Sequence, residues 1–141
     1  MKPGLLMVGA AAAALLMTGV GVSASSRAGS QRPATTVNVI LKEWKLVPAP
    51  KVVPAGPVTF RVTNSGTLNH EFLVIKTSIP ANALPVKNGE VSEAGLTKEI
   101  PSFKRGLTKT LTVTLTKGKY VLLCNIKSHY GYGQRSSFTV R

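Results

Sequence analysis

The sequence predicts an all-β domain, a β-sandwich or small barrel, that follows an N-terminal export signal. Three observations lead to this prediction: an apolar run at the start of the chain, alternating apolar and polar residues along much of the rest, and short intervals rich in Gly and Pro between the alternating runs. Alternation with a period of two is typical of strands that have one buried face. Several short strands joined by such turns indicate a sandwich or barrel.

Residues 1–24 are predicted to be a secretory signal peptide. Lys2 gives a positive start, residues 4–22 are apolar, and Val22-Ser23-Ala24 has the small residues that a signal peptidase accepts. A retained membrane anchor is the alternative, because an apolar run of this length could span a bilayer. The many Gly and Ala residues of the run and the small residues at its end favour cleavage after Ala24. The expected location is therefore the periplasm, the cell surface or the exterior.

Cleavage after Ala24 leaves 117 of the 141 residues, which suits a single domain with a real core. Residues 25–34 are polar and are predicted to be a flexible leader, and residues 35–141 form the domain. Lys2 is the one basic residue of 18 that falls in the signal. The exported chain therefore has 17 basic and 5 acidic residues, a net charge of about +12.

This positive charge predicts transient binding to acidic redox proteins or to an anionic membrane surface. Nucleic acid is not expected as a partner, because the Lys and Arg residues are scattered, no nucleic-acid motif is present, and the chain is predicted to be exported. We expect a monomer.

The strand predictions rest on five segments. Residues 37–41, 58–62 and 110–116 alternate, and Thr is frequent on their polar face. Residues 72–76 and 120–124 are apolar on both faces and are expected to be more interior. No amphipathic helix is evident outside the signal.

The segment 78–107 is expected to be irregular. Pro and Gly interrupt it six times, and residues 91–98 are expected to form at most one or two helical turns. A loop of this length in a compact domain is often functional.

The domain has one cysteine and two histidines. Four residues separate Cys124 from His129, four more separate His129 from Gln134, and His70 starts an apolar strand far upstream. A thiolate and two imidazoles with a weak axial Met or Gln are the ligands of blue-copper sites. The sequence therefore predicts one copper ion per chain bound by His70, Cys124 and His129, with Gln134 as the axial ligand.

Strand alternation supports this arrangement. Tyr120, Leu122 and Cys124 share one face of their strand, and His70 and Phe72 share one face of theirs. If both faces point inward, the thiolate of one strand meets the imidazole of the other. The loop after Cys124 then returns the second imidazole to the same metal.

Other interpretations of these residues stay open. A lone histidine is more often structural than a ligand, and a lone cysteine is more often a small buried hydrophobic residue. Zinc is the rival metal, although a structural zinc site usually has more thiolates and a catalytic one has a carboxylate or a third histidine. A nucleophilic Cys–His pair is also conceivable, but no oxyanion-hole motif accompanies it. The one Cys and both His residues of the domain fit a single copper site together, and this favours copper over the other interpretations.

At these residues the chain resembles the cupredoxins, the plastocyanin and azurin superfamily, over residues 35–141. The residues that carry the resemblance are Ala55-Gly56-Pro57-Val58-Thr59-Phe60, Asn64-Ser65-Gly66, Asn69-His70-Glu71-Phe72, Gly118-Lys119-Tyr120-Val121-Leu122-Leu123-Cys124, His129-Tyr130 and Phe138-Thr139-Val140. The resemblance implies a Greek-key β-sandwich with copper at one end. It also implies that the edge of the His129 ring reaches the surface as the port for electrons.

Gln134 departs from most members of that family, which have Met at the axial position. Stellacyanin-like phytocyanins have Gln with the same spacing, but they usually carry a disulfide, which a chain with one cysteine cannot form within itself. The resemblance therefore extends to their ligand set and not to their whole domain. The role of Glu71, which follows His70 directly, does not emerge from the sequence.

The expected function is that of an exported one-electron carrier and not of an enzyme. The alternative is a periplasmic or extracellular copper-binding protein for storage, delivery or resistance, which would use the same ligands but exchange its metal. A metal-free interaction module is a third hypothesis, and the intact ligand set argues against it.

Overall fold

The computed structural model describes residues 32–141. The predicted signal peptide, residues 1–24, and most of the predicted leader lie outside the described residues. Within residues 32–141, no helix has the length and hydropathy that a bilayer crossing requires. In chain order the elements are β1 (Thr35–Lys42), β2 (Lys45–Ala49), β3 (Val52–Val53), β4 (Gly56–Asn64), β5 (His70–Lys76), β6 (Val86–Lys87), β7 (Glu90–Val91), β8 (Leu96–Phe103), β9 (Thr108–Leu115), β10 (Gly118–Leu123), α1 (His129–Tyr132) and β11 (Arg135–Val140).

Two sheets pack against each other. The first has the order β2-β1-β4-β9 and the second the order β3-β11-β10-β5-β8, while β6 and β7 form a separate hairpin. The β1–β4 and β3–β11 pairs are parallel, and the other pairs are antiparallel. Between these two sheets the chain crosses after β2, β3, β4, β8 and β9. This arrangement confirms the predicted all-β Greek-key sandwich.

The three segments with clear alternation form strands of the first sheet. In β1, Val37, Val39 and Leu41 are fully buried and their neighbours face solvent. On the outer face of the sheet, the hydroxyls of Thr59 and Thr112 lie 2.9 Å apart in a cross-strand hydrogen bond. The Thr residues of the polar face therefore link neighbouring strands as well as face water.

The main core lies between the two sheets. At its centre the ring of Phe60 packs against those of Phe72 and Phe138, with centroids 5.2 Å and 5.5 Å away. All three side chains are buried, and burial of an aromatic ring of this size contributes about 1.5–3 kcal/mol. The inward faces of β5 and β10 supply Val74, Tyr120 and Leu122 to the same cluster, as their alternation predicts.

A second apolar cluster covers the outer face of the second sheet. It contains the other face of β5 and β10, namely Leu73, Ile75, Val121 and Leu123. Side chains from the segment after β5 and from α1 pack on this face; they are Ala81, Leu84, Val91, Leu96 and Tyr130. The two interior strands are therefore buried on both faces, as the sequence predicts.

The expectation for residues 91–98 is wrong. Val91 ends β7, and Leu96 begins β8, which pairs with β5 at the edge of the second sheet. Most side chains of β8 are exposed, so its alternation is weak, and an edge strand tolerates Pro101. Part of the segment expected to be irregular is thus an edge strand, whose pairing with β5 has two register shifts.

Candidate metal centre

His70, Cys124 and His129 meet at one end of the sandwich. His70 is the first residue of β5, Cys124 directly follows β10, and His129 is the first residue of α1. All three are buried, and a ligand atom from each lies within 4.8 Å of the other two. The fold therefore brings together the three residues that the sequence singled out.

The two imidazoles approach each other through the same ring nitrogen. The Nδ1 atoms of His70 and His129 are 3.3 Å apart, and His129 Nδ1 is also 3.3 Å from Cys124 Sγ. The two rings are inclined by 65° with centroids 5.2 Å apart. The two Nδ1 atoms therefore lie close together, and that of His129 is also close to the sulfur.

The loop between Cys124 and His129 is tied to the β6–β7 hairpin. Asn125 Oδ1 accepts a hydrogen bond of 2.8 Å from the N–H of Val91, and Asn125 Nδ2 donates to the Val91 carbonyl at 3.1 Å. The N–H of Ser128 donates to the carbonyl of Gly89 at 2.7 Å. These bonds fix the path that returns His129 to the cysteine.

Gln134 contacts the segments of Cys124 and His129 through its backbone. Its N–H donates to the carbonyl of His129, and its carbonyl accepts from the N–H of Cys124, both at 3.1 Å. Its side chain is fully buried, and Nε2 donates to the Lys42 carbonyl at 3.3 Å. Its Oε1 has no hydrogen-bond partner among residues 32–141.

An unpaired buried carbonyl oxygen costs about 1–3 kcal/mol. A metal ion beside Gln134 would remove that cost by accepting the lone pair of Oε1. The unpaired oxygen, one thiol and two imidazole nitrogens are a donor set that fits one copper ion per chain. A structural zinc site would be expected to have more thiolates.

Glu71 acts on the thiol through its backbone. Its N–H donates to Cys124 Sγ at 3.4 Å, which orients the sulfur and stabilises negative charge on it. The side chain of Glu71 is half-buried, and this burial raises the pKa of its carboxyl, with further increases from Glu93 and Glu99. The sequence did not reveal this backbone contact.

In the metal-free site, burial also shifts the pKa values of Cys124 and His129. It raises the pKa of the Cys124 thiol to about 11. Burial lowers the pKa of His129, and the neighbouring His70 lowers it further. At neutral pH the Cys124 thiol therefore keeps its proton in the metal-free site, and a bound cation must displace that proton.

Sequence reasoning missed two residues of the β1–β2 turn. Glu43 Oε1 lies 2.9 Å from His70 Nε2, and the ring of Trp44 packs edge-on against the ring of His129. Trp44 in turn contacts Tyr132, whose ring centroid is 4.8 Å away. His129 is 8% exposed and packs against Trp44, so little of the residue that the resemblance places at the surface reaches solvent. No local pattern marks this turn as part of a site.

No family model matches the sequence, and no curated protein matches it. Solved structures do match. Auracyanin from Roseiflexus castenholzii is 22% identical with a TM-score of 0.59, over 78% of this chain and 99% of that one. Auracyanin A from Chloroflexus aurantiacus, described as a "blue" copper protein, is 21% identical with a TM-score of 0.58, over 77% of this chain and 100% of that one.

Rusticyanin from Thiobacillus ferrooxidans is 18% identical with a TM-score of 0.55, over 79% of this chain and 80% of that one. Auracyanins and rusticyanin are cupredoxins. The chain therefore has the cupredoxin fold, and the fold that the resemblance implied is confirmed.

Proposed function

We propose that this protein is an exported one-electron carrier with one mononuclear blue-copper centre. The copper ligands would be His70, Cys124 and His129, with Gln134 in the axial position. The observation that carries the proposal is the convergence of the thiol and the two imidazoles within 4.8 Å at the buried end of a cupredoxin fold. Copper bound there would alternate between Cu(I) and Cu(II) and so accept and release one electron.

The protein's own contribution is to hold these ligands in one arrangement. The backbone hydrogen bonds of Gln134 join the cysteine segment to α1. The N–H of Ser128 and the side-chain amide of Asn125 fix the loop between them. Ligands that cannot rearrange suit both oxidation states with little movement, which favours fast electron transfer. With Gln134 as the fourth ligand, no position stays open for a substrate, so we propose a carrier and not an enzyme.

The first test is the visible spectrum of residues 25–141 after addition of one equivalent of Cu(II). We expect an intense thiolate-to-copper charge-transfer band that is lost in Cys124→Ala. Ser92→Ala, a change at an exposed residue, is the control and should keep the band. A folded protein that shows no such band would refute the blue-copper centre.

A second test separates a carrier from a protein that stores or delivers copper. The loaded protein is incubated with a copper chelator, and its redox cycling is followed by voltammetry. Slow loss of copper with reversible one-electron cycling would support the carrier. Rapid transfer of copper to the chelator would favour storage, delivery or resistance.

The net positive charge supports weak encounters with acidic redox proteins or with an anionic membrane surface. Such encounters should slow as ionic strength rises, because salt screens exposed charges. Electron-transfer rates with an acidic and a basic acceptor would be compared over a salt series, and binding to anionic and neutral vesicles would be measured beside them. Electron-transfer rates that do not depend on salt would exclude electrostatic association.

The expected monomer is a separate proposal, and sedimentation of the protein would test it.

Export needs its own test on the full chain. Cell fractionation and mass spectrometry of the exported protein would reveal its N-terminus. A protein that starts at Ser25 would support cleavage after Ala24. An intact N-terminus in the membrane fraction would support a retained anchor instead, and an intact protein in the cytoplasm would contradict export.

A further inference from the structure

His70 faces the metal site with one ring nitrogen and the carboxylate of Glu43 with the other. Glu43 Oε1 lies 2.9 Å from His70 Nε2, on the side of the ring opposite the contact between Nδ1 and His129. His70 is fully buried, and the Glu43 side chain is 22% exposed. The carboxylate therefore reaches from the protein surface into the back of the site.

Backbone donors hold this carboxylate in place. Glu43 Oε1 accepts hydrogen bonds from the N–H groups of Leu68 at 2.9 Å and Thr67 at 3.0 Å, and Oε2 accepts from Thr67 at 3.1 Å. The loop that carries these donors is itself fixed by the fully buried Asn64, which donates to the Leu68 carbonyl at 2.9 Å. Hydrogen bonds from N–H groups to a carboxylate are among the stronger ones in proteins. The hydrogen bonds from Leu68, and more weakly those from Thr67, keep the pKa of Glu43 low, at about 2.

Gly66 provides the room for this contact. A Cβ atom at residue 66 would lie 2.5 Å from Glu43 Oε1 and 2.8 Å from His70 Nε2. The φ angle of Gly66 is not in the left-handed region, so its backbone conformation does not require glycine. Space for the Glu43–His70 pair is therefore the structural reason for glycine at this position.

The contact decides which nitrogen of His70 carries the hydrogen. A carboxylate can only accept a hydrogen bond, so His70 Nε2 must donate, and in the neutral ring Nδ1 is then left with its lone pair. Nδ1 is the atom that lies 3.3 Å from Nδ1 of His129, the second histidine of the candidate metal centre. We propose that Glu43 is a positioning residue that holds His70 in this tautomer and orientation for the metal; the metal-binding part of this inference rests on the proposed function.

Two consequences follow. A histidine ligand whose other N–H is bonded to a carboxylate is a better donor, and loss of such a partner typically weakens metal binding about 10- to 100-fold. The negative charge of Glu43 beside a ligand also favours the more highly charged copper ion. Removal of the charge should therefore raise the reduction potential.

The decisive experiment needs neither copper nor a variant. The protein is labelled with ¹⁵N at its two histidines, and the tautomer of His70 is determined by NMR in the metal-free state at a pH where the ring is neutral. We expect the hydrogen on Nε2. A hydrogen on Nδ1 would overturn the proposal, whether or not the protein binds copper.

Variants then test the effect on metal binding. Glu43→Ala should lose the tautomer preference and bind copper about 10- to 100-fold more weakly. Glu43→Gln keeps an oxygen acceptor but loses the negative charge. It should therefore keep the His70 tautomer and have a raised reduction potential. This variant also tests the proposal if Glu43→Ala does not fold. Glu99→Ala removes one negative charge at an exposed position of β8 and is the control.

Equal copper affinities of Glu43→Ala and Glu99→Ala would refute the positioning role. If the unmodified protein does not bind copper, the proposed function fails, and the NMR result still decides whether Glu43 sets the tautomer.

Discussion

Trp44 packs edge-on against His129, with ring centroids 4.9 Å apart and ring planes inclined by 68°. The two residues are 85 positions apart in the sequence and lie in different parts of the sandwich: the β1–β2 turn and the start of α1. Glu43, the neighbour of Trp44, contacts the other histidine. One turn therefore contacts both imidazoles of the candidate metal centre.

This contact makes Trp44 a reporter of metal binding. Trp44 is the only tryptophan in the chain, so its fluorescence can be measured without interference from others. Cu(II) held by His129 should quench that fluorescence strongly, with an end point at one equivalent, because the indole lies next to a ligand of a paramagnetic, redox-active ion. The measurement is a fluorescence titration with Cu(II), repeated with Cys124→Ala. Unchanged fluorescence at full copper loading would contradict the position of Trp44.

The axial position can be tested by Gln134→Met. An amide oxygen stabilises Cu(II) better than a thioether does, so this variant should have a higher reduction potential than the unmodified protein. Voltammetry of both loaded proteins provides the measurement, and the retained visible band verifies that the thiolate still binds. A potential that does not rise would exclude Gln134 as the axial ligand.

Gly66→Ala should disturb the metal centre without a change in any ligand. The added methyl group would meet Glu43 Oε1 and His70 Nε2, so we expect the pair to separate and copper affinity to fall about tenfold or more. Copper affinity is measured by competition with a chelator. Gly131→Ala in α1 is the matched control, because its Cβ would meet no atom within 4 Å apart from its two neighbours and the backbone of its own helix. Equal affinities of the two variants would show that Gly66 does not need to be small.

The core prediction concerns Phe60, which is fully buried between Phe72 and Phe138. Phe60→Ala should lower the free energy of unfolding by about 3–5 kcal/mol, since it removes a large side chain and leaves a cavity. Urea unfolding of the metal-free protein gives this value. Leu107→Ala, at a side chain that is 46% exposed, should change it by no more than about 0.5 kcal/mol. A loss of stability no larger than in this control would contradict the position of Phe60 in the core.

Some features were predictable because their signals are local. The alternation of residues 37–41, 58–62 and 110–116 records which side of a strand is buried, and each segment forms a strand with that pattern. The spacing of Cys124 and His129 is equally local, since a short loop returns His129 to the cysteine. The β8 strand was missed because an edge strand with mostly exposed residues has little alternation.

The sequence by itself determined the class of fold and the three groups that converge on the candidate metal centre. Only the tertiary structure decided what surrounds them: Glu43 behind His70, Trp44 over His129, and Gly66 in the space between Glu43 and His70. Glu43 is 27 residues from its histidine, and the two meet only because separate strands and loops come together at one end of the sandwich. A contact of this kind leaves no periodic or spaced pattern in the chain, because it depends on the packing of the whole domain.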